Sequence, residues 1–389
     1  MTSTAPTAVE ALESGRALRL RWADGVEASW PAIWLRDHCQ DAACRHPGNG
    51  QRLFGILDLP EDVRIERAGL AGDGGVALVF APEGHATRFD PAWLRDHRSV
   101  ASTSPPQGWL PPHITLWGGG LVPPCASLAA VESDERALLG WLAAVDRHGF
   151  ALLDGVPPEP GAVERVVALF GFVRETNYGR IFDVRAEPDP SNLAYTAMGL
   201  QVHTDNPYRD PVPGLQLLHC LQSGAVGGDS VVVDGFCAAT VLREELPEAF
   251  ELLTRCPVRW EYRAGATELV ARAPMIGLAA DGELVEIRFN NRSLAAVEAP
   301  ADRVEAFYAA YRAFARILER PALELVFKLA PGQLFIVDNR RVLHGRKAFS
   351  AAGRRWLQGT YADRDGLRSR LAVLRRRYQE EDPACPPPT

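Results

Sequence analysis

The sequence predicts a mainly β fold with flanking helices, organised as a small β-rich N-terminal domain and a larger double-stranded β-helix, or jelly roll. Three observations predict this class. Short apolar or alternating runs bounded by turn residues recur along most of the chain. Only two or three stretches have the period of a helix. A stretch rich in Pro and Gly, without periodicity, separates about the first hundred residues from the rest.

The N-terminal domain is predicted to span residues 10–105. Runs at 16–22, 52–59 and 76–81 are apolar or alternating, with turn signals such as AGDGG between them, and they predict short strands. No long helical period occurs here. The following Pro- and Gly-rich stretch, residues 106–127, is predicted to be an interdomain linker.

The second domain is predicted to span residues 128–382, followed by a disordered tail at 383–389. A helix is expected over 133–149, because its leucines recur at helical spacing and Gly149 suits a C-cap. Further helices are expected around 160–170 and over 301–319, and strands over 150–156, 215–222, 229–236, 323–329, 332–339 and 354–363.

Composition disfavours several classes of function. The 389 residues suggest two or three domains at roughly 150 residues each. The net charge of -7 lacks the basic surplus of a nucleic-acid binder. No apolar run approaches the roughly 18 residues of a membrane span, and the N-terminus does not resemble a secretory signal. We therefore expect a cytoplasmic protein that binds neither nucleic acid nor membrane.

The first candidate site begins at His203-Thr204-Asp205. Residues i and i+2 of a strand point to the same face, so this imidazole and carboxylate can bind one metal ion. The tripeptide alone is a weak signal and is more often a solvated loop. His344, after an apolar strand, is the candidate second imidazole. Two histidines and one carboxylate form the facial triad of non-haem Fe(II) oxygenases; we call these three residues the triad.

Arg355 completes the pattern. The triad leaves three adjacent positions on the metal open, of which a 2-oxo acid can chelate two and O2 the third. The distal carboxylate of that co-substrate needs a bidentate cation, which favours arginine over lysine. Arg355 lies eleven residues past His344 on the next strand. His219 is the nearest rival ligand, but its apolar strand LQLLHCLQ indicates a hydrogen-bonded core histidine.

Over about residues 15–380 the chain resembles the γ-butyrobetaine hydroxylase and trimethyllysine dioxygenase branch of the TauD-like Fe(II)/2-oxoglutarate dioxygenases. The resemblance is carried by WLRDHCQDAAC, NYGRIFDV, SNLAYTAMGLQVHTDNPY, PGLQLLHCLQ, GGDSVVVDGF, FNNRS, DNRRVLHGR and RRWLQGTYAD. It implies that the triad binds Fe(II) and that Arg355 and Asn192 contact 2-oxoglutarate. It further implies hydroxylation by O2, coupled to decarboxylation of 2-oxoglutarate to succinate and CO2, in a homodimeric enzyme.

The resemblance also implies a small trimethylammonium substrate, γ-butyrobetaine or a close analogue. A quaternary ammonium donates no hydrogen bond and is bound by ring faces through cation–π attraction. The aromatic residues at matching positions are Tyr178, Phe182, Tyr195 and Tyr361. Phe182 stands where vertebrate members have Trp.

The opposite end of the substrate matches FNNRS. Asn291 corresponds to the family's carboxylate contact, with Asn290 as the alternative register. Arg292 departs from the vertebrate pattern, which has Ala there. Because a guanidinium also suits a phosphonate, hydroxylation of 2-(trimethylammonio)ethylphosphonate is a second candidate function. Alternatively, Arg292 is only a surface charge.

A second candidate metal site lies near the N-terminus. Cys39 and Cys44 are spaced for structural zinc rather than a disulfide in a chain without a secretion signal. The resembling family has three cysteines and a later histidine here; Asp41 replaces the middle cysteine, and His85 matches the histidine. The implied zinc ligands are Cys39, Asp41, Cys44 and His85. The alternative is a degenerate site with two free thiols, and His38 and His46 are fallback ligands.

Two other classes of function compete with the dioxygenase. A zinc hydrolase built on the triad lacks an obvious general base and leaves Arg355 without a role. A non-catalytic jelly-roll binding protein would make the complete triad together with Arg355 a coincidence.

Overall fold

The computed structural model describes residues 5–98, 109–185, 198–298, 300–350 and 354–381, without the side chains of Asp302 and residues 379–381. The predicted disordered tail lies outside these ranges. The chain divides into two compact units, Met1–Pro105 and Pro106–Thr389.

The N-terminal unit contains two antiparallel three-stranded sheets. Alternation along β2 buries Leu18, Leu20 and Trp22 in a common core, as expected of strands with one buried face. Two six-residue helices, too short to show a period in the sequence, were not predicted. The elements are β1 (Pro6–Leu12), β2 (Ala17–Trp22), β3 (Glu27–Pro31), α1 (Ala32–Asp37), β4 (Arg64–Leu70), β5 (Val76–Ala81), β6 (His85–Phe89) and α2 (Pro91–Asp96).

The predicted strand over 52–59 is wrong. Ile56–Asp58 form a 3-10 helix, and the side chain of Leu57 is exposed. The Asp58 carboxylate accepts a hydrogen bond from the Gly55 amide at 2.7 Å. This local bond closes a tight turn, which competes with the extended backbone that the apolar run predicted.

The larger unit contains two main sheets, in the orders β7-β8-β18-β11-β20-β9 and β10-β19-β12-β17, together with two hairpins, β13-β14 and β15-β16. Its elements are β7 (Cys125–Ser127), α3 (Leu128–Ser133), α4 (Glu135–His148), β8 (Phe150–Asp154), α5 (Ala162–Val167), β9 (Phe182–Arg185), β10 (Leu200–His203), β11 (Leu215–Ser223), β12 (Ser230–Asp234), α6 (Gly235–Glu245), α7 (Pro247–Arg255), β13 (Val258–Ala264), β14 (Thr267–Ala273), β15 (Ile276–Leu278), β16 (Leu284–Ile287), α8 (Ala301–Leu318), β17 (Leu325–Phe327), β18 (Leu334–Asp338), β19 (Val342–Arg346), β20 (Arg355–Ala362) and α9 (Arg364–Glu381).

The two main sheets enclose one apolar layer and are covered by helices on their outer faces. Leu218 and Phe335 of the first sheet pack with Val232 of the second. Their neighbours Leu217 and Ile336 point outward, into the core that includes α4, α5 and α9. Strands buried on both faces explain the continuous apolar runs in the sequence. The predicted jelly roll with flanking helices and an N-terminal β region is confirmed.

The helices largely follow their sequence signals. The predicted helix over 133–149 is α4, preceded by the separate α3. Gly149 ends α4 in the left-handed conformation, with φ +68°, and its N–H bonds the carbonyl of Val145 at 2.7 Å. The predicted helix over 301–319 is α8. Helices α6, α7 and α9 were not predicted. Among the described residues, no helix has the length and apolar character needed to cross a membrane.

The described part of the predicted linker, residues 109–127, packs within the larger unit. Trp117 is buried beside Phe150, and its indole N–H bonds the His148 carbonyl at 2.6 Å. This stretch is irregular as far as Pro124, yet an anchored tryptophan makes it part of the folded unit rather than a free spacer.

The buried ion pair between Asp234 and Arg341 gives a test of the larger unit. Arg341 donates two hydrogen bonds to Asp234, at 3.0 and 2.7 Å, and both side chains are almost fully buried. Asp234→Ala leaves a buried cation uncompensated, so we expect the free energy of unfolding to fall by about 3–5 kcal/mol. Urea denaturation measures the loss. Glu245→Ala, which removes the exposed pair with Arg320, is the control and should barely move the midpoint; equal losses would contradict the prediction.

Candidate active site

The structure brings the triad together at one end of the second main sheet. Strand β10 pairs antiparallel with β19, and His203 lies directly opposite His344. The Asp205 Oδ1 atom lies 3.3 Å from His203 Nε2 and 3.9 Å from His344 Nε2. The three ligand atoms lie within 4.8 Å of one another. Such a cluster can hold a single metal ion.

Gly345 permits the close approach of β10 to β19. A Cβ atom at this position would lie 2.6 Å from the Leu200 carbonyl oxygen and 2.9 Å from the Val202 nitrogen. Any side chain here would therefore push the strands apart. The glycine that follows His344 thus helps to bring the two histidines face to face.

A hydrogen bond at His203 and burial at His344 prepare the two imidazoles for a metal. His203 Nδ1 donates a hydrogen bond to the Gln201 carbonyl at 2.8 Å, which leaves the lone pair of Nε2 available to a metal. Burial, together with the neighbouring His203, lowers the pKa of His344 to about 3, so this ring is neutral near pH 7. Neutral imidazole is the form that binds a metal.

Asp205 supplies the negative ligand. Burial opposes its ionisation, but the two facing imidazoles and a hydrogen bond from the Tyr361 hydroxyl outweigh burial, and they hold the pKa of Asp205 well below its usual range. Asn339 fixes the backbone: its Oδ1 accepts from the Asp205 N–H at 2.7 Å, and its Nδ2 donates to the Asp205 carbonyl at 3.0 Å. Two imidazoles and one carboxylate fit a first-row divalent metal such as Fe(II).

The triad opens into a cavity of about 410 Å³. Five other residues predicted for the site also line it: Tyr178, Phe182, Arg292, Arg355 and Tyr361. Asn192 and Tyr195 lie outside the described residues, so their predicted roles stay predictions. The cavity wall also contains residues that no sequence pattern assigned to the site, among them Tyr208, Gln216, Tyr262, Arg263 and Arg346.

Five aromatic rings form one side of the cavity, which we call the aromatic wall: Tyr178, Phe182, Tyr208, Tyr262 and Tyr361. Successive ring centroids lie 5.0–6.3 Å apart, with Phe182 and Tyr361 at 5.1 Å and Tyr208 stacked on Tyr262 at 5.0 Å. Tyr262 comes from the β13 hairpin, far along the chain from Tyr178, and no local pattern marked it.

Arg355 lies on β20 and faces the same cavity. Its guanidinium stacks over the Phe349 ring at 5.6 Å, and Arg346 stacks over that ring at 4.8 Å. Burial lowers the pKa of Arg355 below its ordinary value, although arginine remains charged. Within the described ranges, no carboxylate lies within 4.0 Å of its guanidinium. A charged group without a counterion in a cavity wall suits an anionic ligand.

The structure places Asn290, not Asn291, in the cavity wall. Asn291 is exposed, and its Oδ1 accepts a hydrogen bond from the Tyr311 hydroxyl at 2.9 Å. Asn290 is buried and donates to the Thr204 carbonyl at 3.1 Å. The 3-10 helix Asn291–Ser293 begins directly after Asn290, which sends consecutive side chains in different directions. The assignment of Asn291 is therefore corrected to the alternative register.

His219 lies elsewhere. It is fully buried on β11 and belongs to no metal-binding cluster among the described residues. Both of its ring nitrogens lack a hydrogen-bond partner there. The predicted burial of His219 agrees with this position, but the predicted hydrogen bond is not found among the described residues.

Comparison with known proteins identifies the family. Residues 119–361 match the family described as taurine catabolism dioxygenase TauD, TfdA family. The chain belongs to this family of dioxygenases. Residues 9–95 match the family described as γ-butyrobetaine hydroxylase-like, N-terminal. The triad offers ligands that Fe(II) accepts in such a dioxygenase, and the hydrolase and binding-protein alternatives lose their basis. The contact of Arg355 with 2-oxoglutarate stays a prediction.

Several relatives of this dioxygenase are similar over nearly its whole length. A γ-butyrobetaine dioxygenase of Pseudomonas sp. (strain AK-1) is 41% identical over 356 residues, which cover 91% of this chain and 93% of the relative. The γ-butyrobetaine dioxygenase of Homo sapiens is 32% identical, covering 95% and 97%. The mitochondrial trimethyllysine dioxygenase of Mus musculus is 32% identical, covering 92% and 85%. A solved asparagine oxygenase aligns with a TM-score of 0.48 at 22% identity, covering 58% of this chain and 79% of that chain.

Removing one imidazole tests the iron assignment in the dioxygenase. We expect His203→Ala to abolish Fe(II)-dependent release of succinate from 2-oxoglutarate, because two ligands hold the metal too weakly. Coupled detection of succinate, with and without added Fe(II), measures it. His219→Gln changes a buried histidine outside the triad and serves as the control, which should retain turnover. Full turnover by His203→Ala would show that the triad does not hold the iron.

Proposed function

We propose that this protein hydroxylates γ-butyrobetaine or a close trimethylammonium analogue and converts 2-oxoglutarate to succinate and CO2. One observation carries the proposal. A single cavity is lined by the triad, by the aromatic wall and by Arg292 and Arg355, which have no carboxylate partner among the described residues. Bound Fe(II) would supply the oxidation chemistry. The chain's own residues would bind both anions, orient the substrate and keep water away.

The aromatic wall suits the cationic end of the substrate. Ring faces attract a quaternary ammonium without any hydrogen bond, and five rings around one space provide several faces. The relatives named γ-butyrobetaine dioxygenase and trimethyllysine dioxygenase act, by those names, on trimethylammonium compounds. The higher identity to the Pseudomonas enzyme favours γ-butyrobetaine.

Arg292 suits the anionic end. Its backbone N–H and its Nε both donate to the Asn290 Oδ1 atom, at 3.2 and 3.5 Å, and Asn290 is bonded in turn to the carbonyl of Thr204. The guanidinium is therefore tied to the segment between His203 and Asp205. Within the part of the chain that the structure describes, no carboxylate lies within 4.0 Å of it. A substrate carboxylate would supply the missing counterion.

A phosphonate would supply it as well. A guanidinium offers up to five donors, and a phosphonate presents three oxygens with more negative charge than a carboxylate. Because of Arg292, 2-(trimethylammonio)ethylphosphonate is the second candidate substrate.

Substitution of Arg292 tests the anion contact and separates the two substrates. We expect Arg292→Ala to raise the KM for the true substrate by roughly 10- to 100-fold, because a charge-assisted hydrogen bond contributes about 1.5–3 kcal/mol. Succinate release should be measured with γ-butyrobetaine, with the phosphonate and with 5,5-dimethylhexanoate, in which carbon replaces the ammonium nitrogen. The last compound should stimulate little turnover, because it offers no cation to the aromatic wall.

The control for this experiment is Arg263→Ala. Arg263 lines the same cavity but is paired with Glu268 at 2.9 Å, whereas Arg292 has no carboxylate partner among the described residues, so the loss of Arg263 should leave KM nearly unchanged. Selective loss of phosphonate turnover in Arg292→Ala would favour the phosphonate as the native substrate. An unchanged KM for both compounds would remove Arg292 from the site.

We also propose that the N-terminal unit binds a structural zinc ion. Cys39, Cys44 and His85 offer ligand atoms within 4.8 Å of one another, with His85 Nε2 at 3.3 and 3.6 Å from the two sulfur atoms. The Asp41 carboxylate lies outside that cluster but close by, 3.5 Å from Cys39 Sγ and 4.0 Å from His85 Nε2. It is the candidate fourth ligand, weaker than a thiolate.

Metal content tests the zinc proposal. We expect about one zinc per chain in the purified protein, lost in Cys44→Ala and retained in Cys125→Ala, whose thiol lies outside the cluster. Elemental analysis measures it. Asp41→Cys should tighten zinc binding, because thiolate is the better ligand. Zinc that persists in Cys44→Ala would contradict the proposed ligands.

Homodimerisation and a cytoplasmic location stay predictions from the sequence. Light scattering on the purified chain would test the first.

A further inference from the structure

The two oxygens of the Asp205 carboxylate have different surroundings. Oδ1 faces the imidazoles of His203 and His344. Oδ2 accepts two hydrogen bonds of 2.7 Å, one from the Gln216 amide and one from the Tyr361 hydroxyl. A carboxylate with both donors on one oxygen presents the other oxygen alone to a metal.

The fold places this pair of donors on neighbouring strands. Gln216 on β11 lies directly opposite Tyr361 on β20 in the antiparallel register. Cross-strand partners project from the same face of a sheet, so both side chains reach Asp205 from one side. Both are buried, at 2% and 4% exposure, so water competes little for these hydrogen bonds.

We propose that Tyr361 and Gln216 are positioning residues that hold Asp205 as a one-oxygen ligand and thereby raise the affinity of the triad for its metal. Partners of this kind orient a ligating carboxylate before the metal arrives. The inference rests on the proposed function only in requiring that the triad binds a divalent metal.

The orientation of the Gln216 amide supports this role. A carboxylate accepts hydrogen bonds only, so the NH2 group must face Asp205. That leaves the Gln216 Oε1 atom buried with no hydrogen-bond partner among the described residues. An unsatisfied buried acceptor is costly, and the hydrogen bond that the same amide donates to Asp205 offsets part of that cost.

Tyr361 also has a second role, because its ring belongs to the aromatic wall. The ring centroid lies 5.1 Å from that of Phe182, while the hydroxyl reaches the metal ligand. Tyr178 is the matched counterpart: its ring lies in the same wall, but its hydroxyl pairs with Tyr208 at 2.9 Å. Comparing variants of the two tyrosines therefore distinguishes the effect of a hydrogen bond to Asp205 from the effect of a ring in the aromatic wall.

Binding of Mn(II) to the full-length protein tests the proposal. Free Mn(II) is read by electron paramagnetic resonance during titration, with no substrate, 2-oxoglutarate or turnover involved. We expect Tyr361→Phe to raise the Kd for Mn(II) by roughly 10- to 100-fold, the usual loss when such a partner is removed. Tyr178→Phe should change it by less than about twofold. Gln216→Met should weaken Mn(II) binding in the same direction as Tyr361→Phe.

Three results would decide the matter. An unchanged Kd in Tyr361→Phe overturns the proposal. Equal weakening in Tyr361→Phe and Tyr178→Phe also overturns it, because the cause would then be packing of the wall. Weakening confined to Tyr361→Phe and Gln216→Met, in variants with the circular dichroism of the parent, supports it. That last pattern would stand even if no trimethylammonium compound were hydroxylated, so it is independent of the substrate assignment.

Discussion

The antiparallel pairing of β10 with β19 is the constraint on which the site depends. It places His203 opposite His344, and the bare backbone of Gly345 lets the two strands approach. Because side chains alternate along a strand, a register shift of one residue would turn one imidazole away from the other. Neighbouring contacts support this register. Strand β12 pairs along the other edge of β19, and the Asn339 side chain accepts a hydrogen bond from the Asp205 backbone.

The cavity wall carries more positive than negative side chains. Four arginines line it, namely Arg263, Arg292, Arg346 and Arg355, against the carboxylates of Asp205 and Glu261. Burial, with Arg355 and Arg292 as like charges nearby, lowers the pKa of Arg346 to about 10. Anionic groups entering the cavity would relieve this repulsion. A zwitterion suits such a space, since its cation can lie on the aromatic rings, away from the guanidinium groups.

Residue type and spacing explain which members of the site could be predicted from the sequence. His203, Asp205, His344 and Arg355 are unusual residue types at informative spacings, so the order of residues along the chain is enough to indicate their chemistry. Gln216 was not disclosed, because a single polar residue inside an apolar strand carries no sign of its partner. Tyr262 lies on a hairpin whose return to the site depends on packing. The predicted strand over 52–59 failed because a side-chain hydrogen bond from the Gly55 amide to Asp58 outweighed its apolar character.

The sequence by itself determined the architecture class and the residue types of the triad, because these follow from local alternation and from the chemistry of side chains. It also singled out Arg355, whose contact with the co-substrate stays a prediction. Only the tertiary structure decided which oxygen of Asp205 faces the histidines, that Asn290 rather than Asn291 lines the cavity, and that Arg292 lacks a carboxylate partner among the described residues. The physical reason is distance along the chain. His203 and His344 are 141 positions apart, and the register that joins them is set by sheet packing rather than by either segment alone.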